Sequence, residues 1–111
     1  MTRVVLAPQA RADIASALRH SRGTFGPTAC ARYARLIERA LSDLAEDPAR
    51  VGVRAVTDRL STYHLRTSGR RLPRADRVAR PRHLIVFMLD GERLTVVRVL
   101  DERMDLPAQL G

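Results

Sequence analysis

The order of periodic segments in this chain predicts an α+β domain with a mostly antiparallel sheet. Three observations carry the prediction. Helical periodicity is confined to two neighbouring stretches near the N-terminus, and apolar runs of strand length fill the C-terminal third. Between the last two runs stands Asp90-Gly91, a strong short-range hairpin signal.

Taken in order, Arg3 to Leu6 reads as a short first strand. Ala7-Pro8 then switches the chain, because proline presets φ for a first helical turn. Ala10, Ile14, Ala17 and Leu18 recur at helical spacing with Arg11, Asp13 and Arg19 elsewhere, which predicts an amphipathic helix ending near His20-Ser21. Gly23 and Gly26-Pro27 break that pattern. The next stretch puts Cys30, Tyr33, Ile37, Ala40, Leu41 and Leu44 on one face and stops before Pro48, which biases Asp47 away from α geometry. A short turn between the two helices makes them an antiparallel hairpin.

After Val51-Gly52-Val53, Ser61 to Thr67 alternates enough for a strand, with Tyr63 and Leu65 on one face and His64 and Arg66 on the other. The following GRRLPRADRVARPR has no sustained period and is expected to be an exposed, mobile loop. Leu84 to Leu89 is almost continuously apolar, as in a strand covered on both faces, and Leu94 to Leu100 has Arg98 as its one charge. The sheet is therefore expected to carry cover, part of it from another protein. VVRVLDERMDL ends the chain as a strand, a charged turn and a short tail.

At 111 residues the chain fits one domain, residues 1–111. Cys30 is the single cysteine, so an intramolecular disulfide is excluded and a cytoplasmic location is expected. Neither a signal-peptide core nor an apolar run of membrane-spanning length is present in the sequence. His20, His64 and His83 lie far apart with no ligand spacing, and no glycine-rich phosphate loop or nucleophile elbow occurs. No metal or other cofactor is expected.

The net charge is +8, and all 20 basic residues are Arg. Residues 50–82 hold ten Arg against two acids, while residues 1–49 hold seven against five and residues 83–111 three against five. Such a segment suits an acidic protein partner, nucleic acid, or water alone. Tyr63 is its only aromatic residue, which counts against base stacking and hence against direct nucleic-acid binding.

Several elements together resemble a known family. The strand-Ala-Pro-helix start, the Gly26…Ala31-Arg32-Tyr33…Leu44…Asp47-Pro48…Gly52 middle and the YHLR…RPRHLIVFMLDG…LTVVRVLDERMD end look like the ParE branch of the ParE/RelE toxin superfamily. The resemblance covers nearly the whole chain. It departs from relatives at Phe87-Met88, Thr67 and Asp101. What it implies is a helical hairpin packed on a twisted sheet, acting as the toxin of a bacterial type II toxin–antitoxin pair.

Its implied partners are a ParD-like antitoxin with an acidic tail, forming a hetero-oligomer, and DNA gyrase as the target. On this resemblance Tyr33, Ile37, Tyr63, Leu65, Arg82, His83 and Phe87 are expected to meet the antitoxin. Arg98, Arg103, Met104, Asp105 and Leu110 are expected to face the target. The RelE branch, which cleaves mRNA on the ribosome, is the first alternative, and a non-catalytic nucleic-acid-binding or interaction domain is the second. RNA cleavage needs a general acid, and the segment after His83 contains no Tyr or His.

Overall fold

The computed structural model describes residues 2–110. Its elements are β1 (Arg3–Leu6), α1 (Pro8–Phe25), α2 (Pro27–Glu46), β2 (Arg54–Ala55), β3 (Ser61–His64), α3 (Leu65–Gly69), β4 (His83–Asp90), β5 (Arg93–Asp101) and α4 (Leu106–Leu110). The five strands form one sheet in the order β1-β5-β4-β3-β2. Only the β1–β5 pair is parallel. The α+β class and the mostly antiparallel sheet are those the sequence predicts.

The helical hairpin turns on one residue. Gly26 adopts φ 92° and ψ 174°; its N–H donates to Arg22 O at 2.9 Å, and its carbonyl accepts from Cys30 N–H at 3.1 Å. One glycine thus ends α1 and opens α2, with Pro27 set for a first helical turn. Because Gly23 does not break the helix, α1 runs to Phe25 rather than stopping near Ser21. The hairpin buries Ala10 and Ala17 from α1, and Tyr33, Leu36, Ile37, Ala40 and Leu44 from α2, against Ile85, Phe87, Leu94, Val96 and Val99 of the sheet. One face of the greasy β4–β5 hairpin is therefore covered by the protein's own helices.

The register of β4 and β5 pairs Asp90 with Arg93, so the two turn residues are Gly91-Glu92, one position later than the sequence suggests. Gly91 takes the positive φ, 59°. Between Val86 and Phe87 the register shifts, opposing Val86 to Arg98 and Phe87 to Val96, which leaves Val97 as the extra residue of a β-bulge. Core positions Leu94 and Val96 are accordingly followed by Val99, while Arg98 is only partly buried.

The middle of the chain departs most from expectation. The strand stops at His64, whose Nδ1 accepts the Arg66 N–H at 3.1 Å and caps α3. Tyr63 and Leu65 are both fully buried, so the alternation registers burial while misplacing the element's end. β2 is only two residues long and has no signal in the sequence. The expected mobile loop is pinned: Leu72 is buried, Val78 packs on the core, and Arg77 donates to Leu72 O and Arg70 O, both at 3.0 Å.

Among the described residues, one charged side chain is fully buried. Asp43, on the buried face of α2, accepts from Ser68 Oγ at 2.6 Å, and Tyr63 Oη sits 2.7 Å from the same serine. Arg39, Arg50 and Arg71 approach its other oxygen at 3.2, 3.5 and 3.6 Å. This cluster ties α2 to α3 and to the arginine-rich segment. A buried carboxylate is tolerable only with such partners.

Candidate functional site at the Asp101 end of the hairpin

Polar side chains gather where β3, β4 and β5 end together. Tyr33 from α2 reaches His83, the first residue of β4, with Oη 2.6 Å from Nδ1, and accepts the Arg82 N–H at 3.1 Å. Burial pushes the tyrosine hydroxyl above its ordinary pKa and holds the imidazole below its own. Both groups are thus neutral near pH 7. Tyr33 then donates to Nδ1, and the histidine proton sits on Nε2, an assignment that rests on this hydrogen-bond pattern.

Next to it, His64 Nε2 lies 2.6 Å from Glu102 Oε2. Because His64 Nδ1 already accepts a backbone N–H, Nε2 is the donor. That hydrogen bond, reinforced by the charges of Arg66 and Arg82, holds the Glu102 carboxyl below the usual carboxylate range. The Glu102 N–H donates to Arg82 O at 2.7 Å, fixing the turn after β5 to the segment before β4. Arg66, Arg80 and Arg82, with Ala79, Pro81 and Glu102, line a shallow cleft of about 380 Å³.

Asp101 pins the turn from the other side. It accepts from Arg103 N–H at 2.9 Å, Nε at 3.1 Å and Nη2 at 3.3 Å, and Arg103 holds its carboxyl below the ordinary range. Met104 and Asp105 follow, exposed, and lead into α4 with Leu110 half-buried. The chemistry on display is charge and hydrogen-bond donation. Tyr33, His64, Asp101 and Glu102 are engaged within the fold, and His83 is held through Nδ1 while its Nε2–H has no hydrogen-bond partner among the described residues.

Of the residues expected to face a target, Arg103, Met104, Asp105 and Leu110 lie together on this turn and on α4. Arg98 lies apart from them: its Nε and Nη2 hold Asp13 of α1 at 2.8 and 3.1 Å, and Asp13 also accepts the Val99 N–H at 2.9 Å. It is a clasp between α1 and β5, with its side chain 21% exposed. Among the residues expected to meet an antitoxin, Arg82 is exposed and His83 half-buried. Tyr33, Ile37, Tyr63, Leu65 and Phe87 are core residues, at most 8% exposed, and their apolar surface is spent on the protein's own packing.

Sequence reasoning missed Asp13, Asp43, His64 and Glu102. For Asp43 a signal existed: it stands three residues after Ala40 and seven after Leu36 on the apolar face of α2, where an acid demands a buried partner. The other three act through partners 38 or 85 residues away and carry no local signal.

Among the described residues, no three His, Cys, Asp or Glu gather as metal ligands, and no helix is long and apolar enough to cross a membrane. In comparisons with known proteins, the model of the family "ParE toxin of type II toxin-antitoxin system, parDE" matches residues 4–106. The fold is similar to a solved chain described as "Chromosomal ParDE TA system from P. aeruginosa", with 16% identity, a TM-score of 0.68, and coverage of 91% of this chain and 96% of that one. Comparison with curated proteins gives no significant match. The family match runs from β1 through both helices, the sheet and the pinned turn to the first residue of α4, and the chain belongs to the ParE toxin family of type II toxin–antitoxin systems.

Proposed function

We propose that this toxin acts in the cytoplasm by binding DNA gyrase through protein contacts, and that a ParD-like antitoxin with an acidic segment neutralises it. Family membership supports the toxin–antitoxin setting. The observation that supports a binding rather than a cleaving mode is the pairing of Tyr33 with His83, His64 with Glu102, and Asp101 with Arg103 at the Asp101 end, which leaves the half-buried His83 Nε2–H as the one unpaired ring donor of this cluster among the described residues. A general acid–base mechanism needs a group free to exchange a proton with substrate. What this region offers outward is instead Arg103, Met104 and Asp105 on a turn held in place by two carboxylates.

The cleft rimmed by Arg66, Arg80 and Arg82 favours a second reading, RNA cleavage, because three guanidinium groups suit a phosphate chain. One experiment separates the two. Purified toxin is added in parallel to a gyrase supercoiling reaction and to a cell-free translation reaction, with and without the cognate antitoxin. Loss of supercoiling with translation intact, reversed by antitoxin, is the expected result. Translation arrest with mRNA cleavage and intact supercoiling would replace the gyrase reading with the RNase one.

A further inference from the structure

The seam between α2 and the segment after α3 carries more guanidinium groups than its own carboxylates use. Arg39 Nε, Arg50 Nη1 and Arg71 Nε all crowd the same oxygen of Asp43, which is 1% exposed. None of the three approaches has hydrogen-bond geometry. Asp43 Oδ1, Arg39 Nε and Arg50 Nε are buried without a hydrogen-bond partner. Two turns earlier on α2, Arg35 Nη1 holds Asp76 Oδ1 at 2.9 Å across the same seam. Arg35, Arg39 and Asp43 are spaced four apart and share one stripe of the helix. Arg70 and Arg74, exposed on the facing segment, have no carboxylate partner among the described ion pairs.

Four arginines therefore meet two acids along this seam, with Arg70 and Arg74 exposed on the neighbouring segment. The outer parts of Arg35, Arg39 and Arg71 remain open, their side chains 56, 36 and 42% exposed. Both guests already seated here are carboxylates, Asp43 deep and Asp76 shallow. The nearest aromatic rings, Tyr33 and Tyr63, are buried and offer nucleic-acid bases no stacking surface. Asp76 sits on a single turn, Arg74–Asp76, and holds Arg35 from there.

We propose that this seam is a docking groove for an acidic peptide segment, whose Asp or Glu side chains pair with Arg35, Arg39 and Arg71 while Asp76 acts as an internal competitor. It deepens the antitoxin reading and rests on it for the identity of the partner. The groove itself is testable without that partner.

The test uses the intact protein, a labelled peptide of alternating Glu and Leu, and a single-stranded oligonucleotide of equal charge, with binding followed by fluorescence anisotropy at fixed salt. Two variants remove the same charge: Arg35→Ser with Arg74→Ser in the seam, and Arg19→Ser with Arg22→Ser on α1. The seam pair leaves Asp43 and its three arginines untouched, so the fold is kept. Peptide affinity should fall about tenfold in the seam variant and change less than about twofold in the α1 variant. Asp76→Ala should tighten binding, whereas Asp58→Ala, another acid of the arginine-rich stretch, should not. Equal losses in both arginine pairs, no gain from Asp76→Ala, or seam-dependent binding of the oligonucleotide in place of the peptide would each overturn the proposal. If the peptide fails while the cognate antitoxin still neutralises the toxin, the groove falls and the antitoxin reading stands.

Discussion

Asp13 shows how much one side chain can join. Burial alone would raise its pKa, but the Arg98 hydrogen bonds and charge, with the Val99 N–H, outweigh burial and hold the carboxyl below 3.8. The stabilisation it supplies is therefore full above that value and is lost as pH falls through the folded-state pKa. Arg98→Ala leaves a half-buried carboxylate with one backbone donor, so a loss of about 2–3 kcal/mol is expected in denaturant unfolding, well above a surface charge deletion. His83 moves in the same direction for a different reason. Burial holds its folded pKa below 6.5, so protonation favours the unfolded chain, and stability should decline as pH falls below 6.5 toward the folded value. Thermal melts at pH 7.5 and 5.5 check this. The difference between them should shrink in His83→Gln, which keeps an acceptor for Tyr33 and cannot titrate. Neither partnership was visible in the sequence, because Asp13 and Arg98 lie 85 residues apart and Tyr33 and His83 50 apart. A lone Asp in an amphipathic helix reads as solvent-facing.

At the scale of elements, legibility follows length. α1, α2, β4 and β5 span 18, 20, 8 and 9 residues, long enough for period to rise above noise, and each was readable within a few residues. β2 and α3, with two and five residues, exist through tertiary partners: two paired positions on β3 for one, the His64 cap and packing on α2 for the other. Local propensity has little to say about either. The arginine-rich segment misled for a related reason, since Leu72 and Val78 are two apolar anchors among many charges and no period reveals them. Gly26 is the hinge that sequence did mark. At φ 92° and ψ 174° its backbone lies in a region that essentially only glycine occupies, and no atom lies within 4 Å of where a Cβ would stand. Gly26→Ala should therefore cost about 1–3 kcal/mol through backbone strain alone, with no steric repacking. Denaturant unfolding with an unchanged m-value would match that expectation.

For the molecule as a whole, the sequence marked which faces are apolar but not what covers them. It located the basic middle and the exposed Arg103, Met104 and Asp105, but it assigned Tyr33, Ile37, Tyr63, Leu65 and Phe87 to a partner when they serve the protein's own interior. Apolar residues look alike whether they pack inward or await a partner, and only the assembled fold divides them. That division leaves the C-terminal turn as the surface on which the gyrase reading turns. Removing residues 103–111 takes away the exposed turn and α4 while leaving the β4–β5 pairing, the Arg98 clasp and the helical hairpin in place. The direct measurement is gyrase supercoiling in the presence of this truncated protein, once circular dichroism and a cooperative melt show that it is folded. Supercoiling should proceed as in the absence of toxin, while the intact chain inhibits it. Full inhibition by the folded truncation would contradict the account.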